Sequence, residues 1–281
     1  MQIQQWLAKA HTQIQSDSAM LDAKLLLSFV LNKSTTYLFT WPEQTISETD
    51  LAKAEEVLQQ RIKGLPIAYI LGQQEFFSLP FYCNASTLIP RPDTECLIEF
   101  CLNEFDPKSS KTIVDLGTGT GAIAITLKSE FENWTVNAVD VQKGACELAI
   151  KNAQRNKVDI HVSNSSWLDN FKTDSLDIVI SNPPYIEEND HHLDEGDVRF
   201  EPKTALTSGV DGLDDIRIIA KQSFECLIVN GYLIVEHGYN QAKAVTDIFI
   251  QHGFSHVESF QDYASNDRFT VGIKHTIASS N

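Results

Sequence analysis

The sequence has no long hydrophobic run and no cysteine pattern typical of a metal or disulfide site. The longest apolar stretch near its start, residues 25–31, has seven residues, too few for a membrane-spanning helix, and no basic segment precedes it as in a signal peptide. The five cysteines are scattered, without a CxxC pair. We therefore expect a cytoplasmic protein with reduced thiols, no membrane anchor and no bound metal.

An excess of basic charge is also absent. The net charge is −16; six basic and eight acidic residues in 1–80 account for −2 of it, which leaves −14 for the remaining residues. This balance argues against a broad surface for binding nucleic acid. An acidic body is compatible with a basic partner and equally with simple solubility.

The hydrophobic content of 42% and charged content of 21% are typical of a folded globular chain. Residues 1–75 have apolar side chains at helical spacing. Ser47 begins a capping box, and Gly64 with Pro66 ends the helix that follows. We predict a small helical bundle. Four aromatic residues are expected in its core rather than on a partner surface: Trp6, Tyr37, Phe39 and Trp41.

After the bundle, the spacing of the apolar residues changes from helical to strand-like. Two short strands are predicted at residues 76–82 and 86–89, forming a hairpin. A helix is then expected over 95–103, with Asp93 or Thr94 as its N-cap. This segment joins the bundle to the rest of the chain.

From residue 111 strand-like and helix-like segments alternate, which predicts a parallel sheet covered by helices on both faces. The strand-like residues 257–260 and 268–273 lie too close together for a helix between them, so they should form a hairpin and place one antiparallel strand in the sheet. The fold class is α/β, with a Rossmann-like domain built on a mostly parallel seven-stranded sheet. The chain divides into three predicted parts: residues 1–75, 76–110 and 111–281.

A glycine-rich loop follows the first strand of that domain, at Gly117, Thr118, Gly119, Thr120 and Gly121. Its glycines permit a tight turn and the close approach of a ligand to the backbone. With Ala122 it matches the G-x-G-x-x-G/A pattern, which fits NAD as well as other adenosine cofactors. Asp140, expected as a surface carboxylate ending the next strand, suits the ribose hydroxyls. Trp167 could pack against the adenine of the cofactor or lie in the hydrophobic core.

The tetrapeptide Asn182-Pro183-Pro184-Tyr185 follows the apolar strand predicted at 176–181. Its prolines cannot continue a strand or a helix, and ligands of open α/β sheets lie beyond the carboxyl ends of the strands. Asn182 Oδ1 and the Pro183 carbonyl could each accept one N–H of a planar NH₂ group while Tyr185 stacks on its plane. The alternative is an ordinary proline-rich turn.

Together these motifs resemble the release-factor glutamine methyltransferase family (PrmC or HemK) of the class I S-adenosylmethionine-dependent methyltransferases. The matching segments are residues 89–95, 114–121, 182–185, 196–202 and 236–238. The resemblance implies S-adenosylmethionine as cofactor, bound by the glycine loop, Asp140, Trp167 and Asn182. It implies that the methyl acceptor is the amide nitrogen of the glutamine in the Gly-Gly-Gln motif of class 1 peptide chain release factors. Asn182, Pro183 and Tyr185 would be catalytic, and Pro184 would contact substrate with them.

Three alternatives stay open: a methyltransferase acting on an exocyclic base amine in DNA or RNA, one acting on glutamine in a ribosomal protein, and a non-catalytic adenosine-binding scaffold. We expect a monomer with no direct contact to nucleic acid, in which residues 1–75 dock the release factor. Residues 186–212 are a candidate lid, fixed by a pairing of Arg199 with Glu201. We assign no general base and expect three histidines to be surface or structural groups: His191, His192 and His237.

Overall fold

The computed structural model describes residues 1–275, which form two compact units. The first unit contains residues 1–73 together with 192–200, and the second contains the other described residues. The first boundary lies close to the one expected at residue 75. The hairpin and linker belong to the second unit, and a nine-residue part of the candidate lid belongs to the first.

The first unit is helical, as predicted, because its apolar residues recur on one face of each main helix and close on a shared core. Ser47 caps the longest helix by accepting the backbone N–H of Asp50 at 3.1 Å. Gly64 follows that helix with a φ of 92°, a conformation that favours glycine. The helices are α1 (Ile3–Gln13), α2 (Ala19–Leu31), α3 (Thr35–Thr40), α4 (Glu48–Ile62) and α5 (Ile67–Leu71).

The aromatic residues of this unit divide between core and surface. Trp6 is fully buried and its indole N–H donates to Glu55 Oε1 at 3.1 Å, and Tyr37 packs partly against the same core. Phe39 is 87% exposed and Trp41 56% exposed, so the expectation that both lie in the core is wrong. The reason is that α3 has only six residues and turns a single residue, Leu38, fully inward.

The buried arginine Arg61 ties residues 192–200 into this unit. Arg61 on α4 donates through Nε to Asp22 on α2 and through Nη1 to Asp197, both at 2.8 Å. The side chains of Arg61 and Asp22 are almost fully buried. Opposite charges in such a site need each other, because an unpaired buried charge is costly. Arg199 lies over the ring of Phe200 in the same segment.

The second unit begins with the predicted hairpin, but its register differs from the prediction. Its strands are β1 (Gln73–Phe76) and β2 (Leu79–Tyr82). Phe77 and Ser78 form the turn, both with positive φ, as a two-residue hairpin turn requires. The prediction that 86–89 pairs as a strand is wrong, since this segment is a loop.

A seven-stranded sheet organises the rest of this unit, and the predicted fold class is confirmed. The strands lie in the order β5-β4-β3-β6-β7-β9-β8, and β9 runs antiparallel to both of its neighbours, as expected for the terminal hairpin. The strands are β3 (Thr112–Leu116), β4 (Thr135–Asp140), β5 (His161–Asn164), β6 (Leu176–Ser181), β7 (Leu227–Glu236), β8 (Phe254–Gln261) and β9 (Asp267–Lys274). The helices are α6 (Glu95–Glu104), α7 (Ala122–Glu130), α8 (Lys143–Asn156), α9 (Asp214–Cys226) and α10 (Ala242–Gln251).

Both faces of the sheet are buried. Ile113 and Ile178 belong to one apolar cluster, whereas Val114 and Val179, the next residue of each strand, belong to the other. Central parallel strands covered on both sides read as continuous apolar runs for this reason. Within the described residues, none of the helices has the length and apolar character needed to cross a membrane.

Candidate active site

A cavity of about 230 Å³ opens at the carboxyl ends of the central strands. Ligands of open α/β sheets bind at this edge, because the loops that leave neighbouring strands converge there. The predicted site residues among its walls are Gly117, Thr118, Gly119, Thr120, Asp140, Trp167, Asn182 and Pro184. Gly121, Pro183 and Tyr185 stand behind these walls rather than in the lining.

The glycine loop turns between β3 and α7 with positive φ at each of its glycines. Gly117 and Gly119 have φ values of 66° and 54° and face the cavity, where the absence of a side chain leaves the backbone accessible. Gly121 is needed for packing instead. A Cβ there would lie 2.8 Å from Ile125 Cδ1 and 3.2 Å from Ala149 Cβ.

Asp115 is a buried carboxylate at the foot of this loop. Its Oδ2 accepts from the Thr118 hydroxyl at 2.6 Å and from the backbone N–H of Ala124 at 3.2 Å. Its Oδ1 is buried without a hydrogen-bond partner, although the residue lines the cavity. Burial raises the pKa of Asp115 to about 7. A cationic group in the cavity would satisfy this oxygen and favour the ionised form.

Asp140 ends β4 but is not the surface carboxylate that the sequence suggested. It is 9% exposed, and its Oδ2 and Oδ1 accept the backbone N–H groups of Gly119 at 3.0 Å and Gln142 at 2.8 Å. The burial raises its pKa, and the two backbone donors oppose that shift. Each carboxylate oxygen has further acceptor capacity, so Asp140 can hold the loop and still accept from hydroxyl groups in the cavity.

Trp167 lies against the glycine loop. A Cβ on Gly117 would lie 3.5 Å from the indole ring, which is van der Waals distance, so Trp167 packs directly beside the loop backbone. Asp215 at the start of α9 lines the cavity together with Trp167. Burial raises the pKa of Asp215. Trp167 therefore serves as a wall of the cavity as well as packing partly against the core.

The tetrapeptide leaves β6 directly at the cavity. Asn182 Nδ2 donates to Thr94 Oγ1 at 3.0 Å, and Pro183 is buried behind it. The Tyr185 hydroxyl donates to Glu236 Oε1 at 3.2 Å, and the Tyr185 carbonyl accepts from Gln241 Nε2 at 2.9 Å. These hydrogen bonds all hold the tetrapeptide in place. An ordinary proline-rich turn would not need them.

Residues 86–91 close another side of the cavity and are held by Glu201. The buried Glu201 carboxylate accepts the backbone N–H of Ile89 at 3.0 Å and forms an ion pair with Arg91. Arg91 is a partner that the sequence did not suggest, and the pairing of Glu201 with Arg199 stays a prediction. Thr204 and Ala205, from the candidate lid, also line the cavity.

The histidine expectation holds for His237, a structural group. It is fully buried, its Nδ1 lies 2.9 Å from the Gly238 carbonyl, and its Nε2 lies 2.9 Å from Thr270 Oγ1. Burial lowers its pKa. His191 and His192 are exposed.

The walls of the cavity fit the cofactor that the sequence resemblance implies. Gly117 and Gly119 offer accessible backbone, Asp140 offers acceptors for a ribose diol, and Trp167 offers an aromatic face. Asp115 Oδ1, buried and unpartnered, suits the ammonium of an amino-acid moiety. S-adenosylmethionine carries all of these groups, so the residues present match its chemistry.

Sequence reasoning missed several functional positions. Asp115 was read only as part of a motif, and Thr94 only as a helix cap, although its side chain makes no cap hydrogen bond in α6. Glu236 was noted only within a matching segment. Thr94 and Glu236 bond to residues distant in sequence, Asn182 and Tyr185, and periodicity carries no signal for such contacts.

Comparison with known proteins independently supports the family that the sequence motifs resemble. Residues 2–72 match the model of the PrmC N-terminal domain, and residues 94–200 match that of the methyltransferase small domain. A release factor glutamine methyltransferase of Aliivibrio fischeri is 46% identical over 92% of this chain and 91% of its own length. One from Escherichia coli is 42% identical over 97% of this chain and 99% of its own length.

Among solved structures, a methyltransferase from Pyrococcus furiosus is similar in fold. Its TM-score is 0.54 at 18% sequence identity, and the match covers 71% of this chain and 91% of that one. At this identity the likeness concerns the fold alone.

Proposed function

The chain belongs to the release factor glutamine methyltransferase family, and we propose that it transfers a methyl group from S-adenosylmethionine to the side-chain amide nitrogen (N5) of glutamine in the Gly-Gly-Gln motif of class 1 release factors. The observation that carries this proposal at the site is the placement of Asn182. Its amide lies in the wall of the cavity, directly beyond β6, with its NH₂ end bound to Thr94. That orientation leaves Oδ1 as the acceptor for a substrate N–H.

The chemical difficulty is that an amide nitrogen is a weak nucleophile, since its lone pair is delocalised into the carbonyl. S-adenosylmethionine, when bound, supplies an electrophilic methyl group on its sulfonium. We infer that Asn182 Oδ1 and the Pro183 carbonyl accept the two N–H bonds of the glutamine and direct its nitrogen at that methyl group. The same acceptors stabilise the positive charge that develops on the NH₂ group.

The proton balance needs no dedicated base. As the new N–C bond forms, the nitrogen becomes a very strong acid and gives one proton to water. Tyr185 and Pro184 would pack against the plane of the glutamine amide. The remaining roles are assigned from the residues that line the cavity. We infer that the glycine loop, Asp140 and Trp167 bind the adenosine part of the cofactor, and that Asp115 binds its ammonium.

We also propose that the first unit docks the release factor. Its exposed aromatic residues Phe39 and Trp41 support this role, because large apolar side chains on a surface often mark a binding site. We propose that the enzyme acts as a monomer in the cytoplasm without direct contact to nucleic acid. The five free thiols and the net charge of −16 support these points.

The test is methyl transfer from labelled cofactor to four purified acceptors in parallel: a class 1 release factor, ribosomal protein, ribosomal RNA and DNA. We expect label on the release factor, located by peptide mass spectrometry on the glutamine of the Gly-Gly-Gln motif. A release factor with that glutamine changed to alanine is the control and should stay unlabelled. Label on RNA, DNA or ribosomal protein alone would overturn the proposal in favour of one of the alternatives.

A further inference from the structure

Asn152 on α8 is a fully buried polar side chain that has no part in the mechanism above. Its amide makes three hydrogen bonds to backbone groups of distant segments. Nδ2 donates to the Thr120 carbonyl at 2.8 Å and to the Tyr82 carbonyl at 3.1 Å. Oδ1 accepts the Tyr82 N–H at 2.7 Å. These bonds offset the cost of burying a polar side chain, which is high when its groups are left unpaired.

The two partners of Asn152 lead to two different walls of the cavity. Thr120 belongs to the glycine loop and lines the cavity itself. Tyr82 is the last residue of β2, and residues 86–91, which follow shortly after it, line the cavity on another side. Asn152 therefore connects the glycine loop to the strand from which the other wall begins.

Packing contacts of α8 reinforce this connection. Ala149 lies three residues before Asn152, on the same face of the helix, and packs against the glycine loop. A Cβ on Gly121 would lie 3.2 Å from Ala149 Cβ. In the first turn of α8, a Cβ on Gly144 would lie 3.5 Å from Ser86 Cβ. The helix thus contacts both walls through apolar atoms, and Asn152 adds directional hydrogen bonds.

The backbone partners fix the orientation of the Asn152 amide. A carbonyl can only accept and an N–H can only donate, so neither Tyr82 nor Thr120 could bond to the opposite end of the amide. The glycine loop is consequently held at two consecutive residues. Asp140 accepts the N–H of Gly119 at 3.0 Å, and Asn152 donates to the carbonyl of Thr120.

We propose that Asn152 is a positioning residue, which holds the glycine loop in the form that binds S-adenosylmethionine and couples this loop to the β1–β2 hairpin. The inference rests on the proposed binding of the cofactor by the glycine loop. Without Asn152 the buried Thr120 carbonyl loses its donor, and the loop gains a reason to leave its present shape. The coupling is reciprocal, so bound cofactor must in turn stabilise the bonds between Asn152 and Tyr82.

The first test measures the Kd for S-adenosylmethionine by titration calorimetry. Asn152→Asp keeps the shape and the acceptor for Tyr82 N–H, but an ionised carboxylate has no donor for the two carbonyls. Asn156→Asp is the matched control. Asn156 lies one turn later on α8, and its Nδ2 donates to the Pro80 carbonyl of the hairpin and to the Asn152 carbonyl, both at 3.0 Å.

We expect Asn152→Asp to weaken cofactor binding roughly tenfold or more, because the loop loses a buried hydrogen bond. Asn156→Asp should stay within about twofold of wild type. A merely structural Asn152 would lower the melting temperature and leave Kd unchanged. A Kd of Asn152→Asp within about twofold of that of wild type or of Asn156→Asp therefore overturns the positioning role.

The second test needs no variant and measures amide hydrogen exchange of the wild type by NMR, with and without S-adenosylmethionine at about 100 times its Kd. The Tyr82 amide reports the bond to Asn152. The reference is the Phe77 amide in the turn of the same hairpin, which donates to Glu95 Oε1 at 2.8 Å. We expect the cofactor to slow exchange at Tyr82 by roughly tenfold or more and clearly less at Phe77.

Equal slowing of the two amides, or no slowing at Tyr82, would overturn the coupling. If Asn152→Asp does not fold, the exchange of the wild-type Tyr82 amide decides the question. Failure of the proposed cofactor site gives a different result: a wild type that binds no S-adenosylmethionine, or an Asp140→Asn variant that binds it as tightly as wild type, would refute that site instead.

Discussion

At the residue scale, the Asp140 carboxylate holds the glycine loop, and we propose that it also binds the ribose of the cofactor. We predict that Asp140→Asn weakens the binding of S-adenosylmethionine roughly tenfold or more, since hydrogen bonds to charged groups contribute about 1.5–3 kcal/mol. Titration calorimetry measures this. Asp140→Ala should weaken binding further and also lower the melting temperature, because it leaves two backbone N–H groups without their acceptor.

The matched control for Asp140 is Asp159→Ala, an exposed carboxylate shortly before β5. It removes the same charge without touching the cavity, so its cofactor affinity should equal that of wild type. Equal affinities in wild type and Asp140→Asn would show that this carboxylate does not bind the cofactor.

Asn182 is the residue that we propose orients the substrate. We predict that Asn182→Ala lowers the rate of methyl transfer at saturating release factor by about 10²–10³, because one of two acceptors for the glutamine NH₂ group is lost. Docking should change little, since most of the partner surface lies elsewhere. Steady-state kinetics should therefore show the loss in kcat. Asn133→Ala, an exposed asparagine before β4, is the control. Comparable rates in Asn182→Ala and wild type would contradict the assigned site.

At the scale of elements, the loop 86–91 depends on a carboxylate more than a hundred residues further along the chain. Glu201 holds Ile89 and Arg91, and the loop between them and Ser86 lines the cavity. We predict that Glu201→Gln loosens this wall and weakens cofactor binding roughly tenfold, because it removes the charge of a buried carboxylate that pairs with Arg91 and weakens a backbone hydrogen bond. Titration calorimetry measures the cofactor affinity of this variant. The control is Glu225→Gln, which changes an exposed glutamate on α9. Equal affinities in the two variants would exclude the loop from cofactor binding.

For the whole molecule, the exposed aromatic residues of the first unit predict how the release factor is bound. The double variant Phe39→Ser with Trp41→Ser should fold normally, because both side chains are exposed. It should raise KM for intact release factor by roughly tenfold or more, as expected when apolar anchors of an interface are lost, and leave cofactor affinity unchanged. Kinetics with an intact release factor measure the first effect and calorimetry the second. An unchanged KM would show that this surface does not dock the substrate.

Deletion of residues 1–75 tests more broadly whether the first unit docks the release factor while the second unit binds the cofactor. The cavity is lined entirely by residues from 76 onward, so the remaining domain should still bind S-adenosylmethionine. Methylation of an intact release factor should become poor. Residues 192–200 would lose Arg61, the buried partner of Asp197, so the double surface variant is the cleaner measure of docking. Full activity after the deletion would assign the first unit another role.

The sequence alone determined the order and type of the main elements, the α/β class and the terminal antiparallel hairpin. These features follow from local signals: periodicity, capping residues and the short spacing between the last two strands. The sequence also placed the glycine loop, Asp140 and the tetrapeptide at one edge of the sheet, because each lies at the end of a predicted strand.

Only the tertiary structure decided the features that depend on contacts between distant segments. The hairpin register was misjudged because Phe77 and Ser78 form its turn without a glycine or asparagine to mark it. Thr94 looked like a helix cap but is bound by Asn182, and Glu201 forms an ion pair with Arg91, which the sequence did not suggest. A polar side chain has several chemically equivalent partners in a sequence. Burial and distance select one of them, and both exist only after the chain has folded.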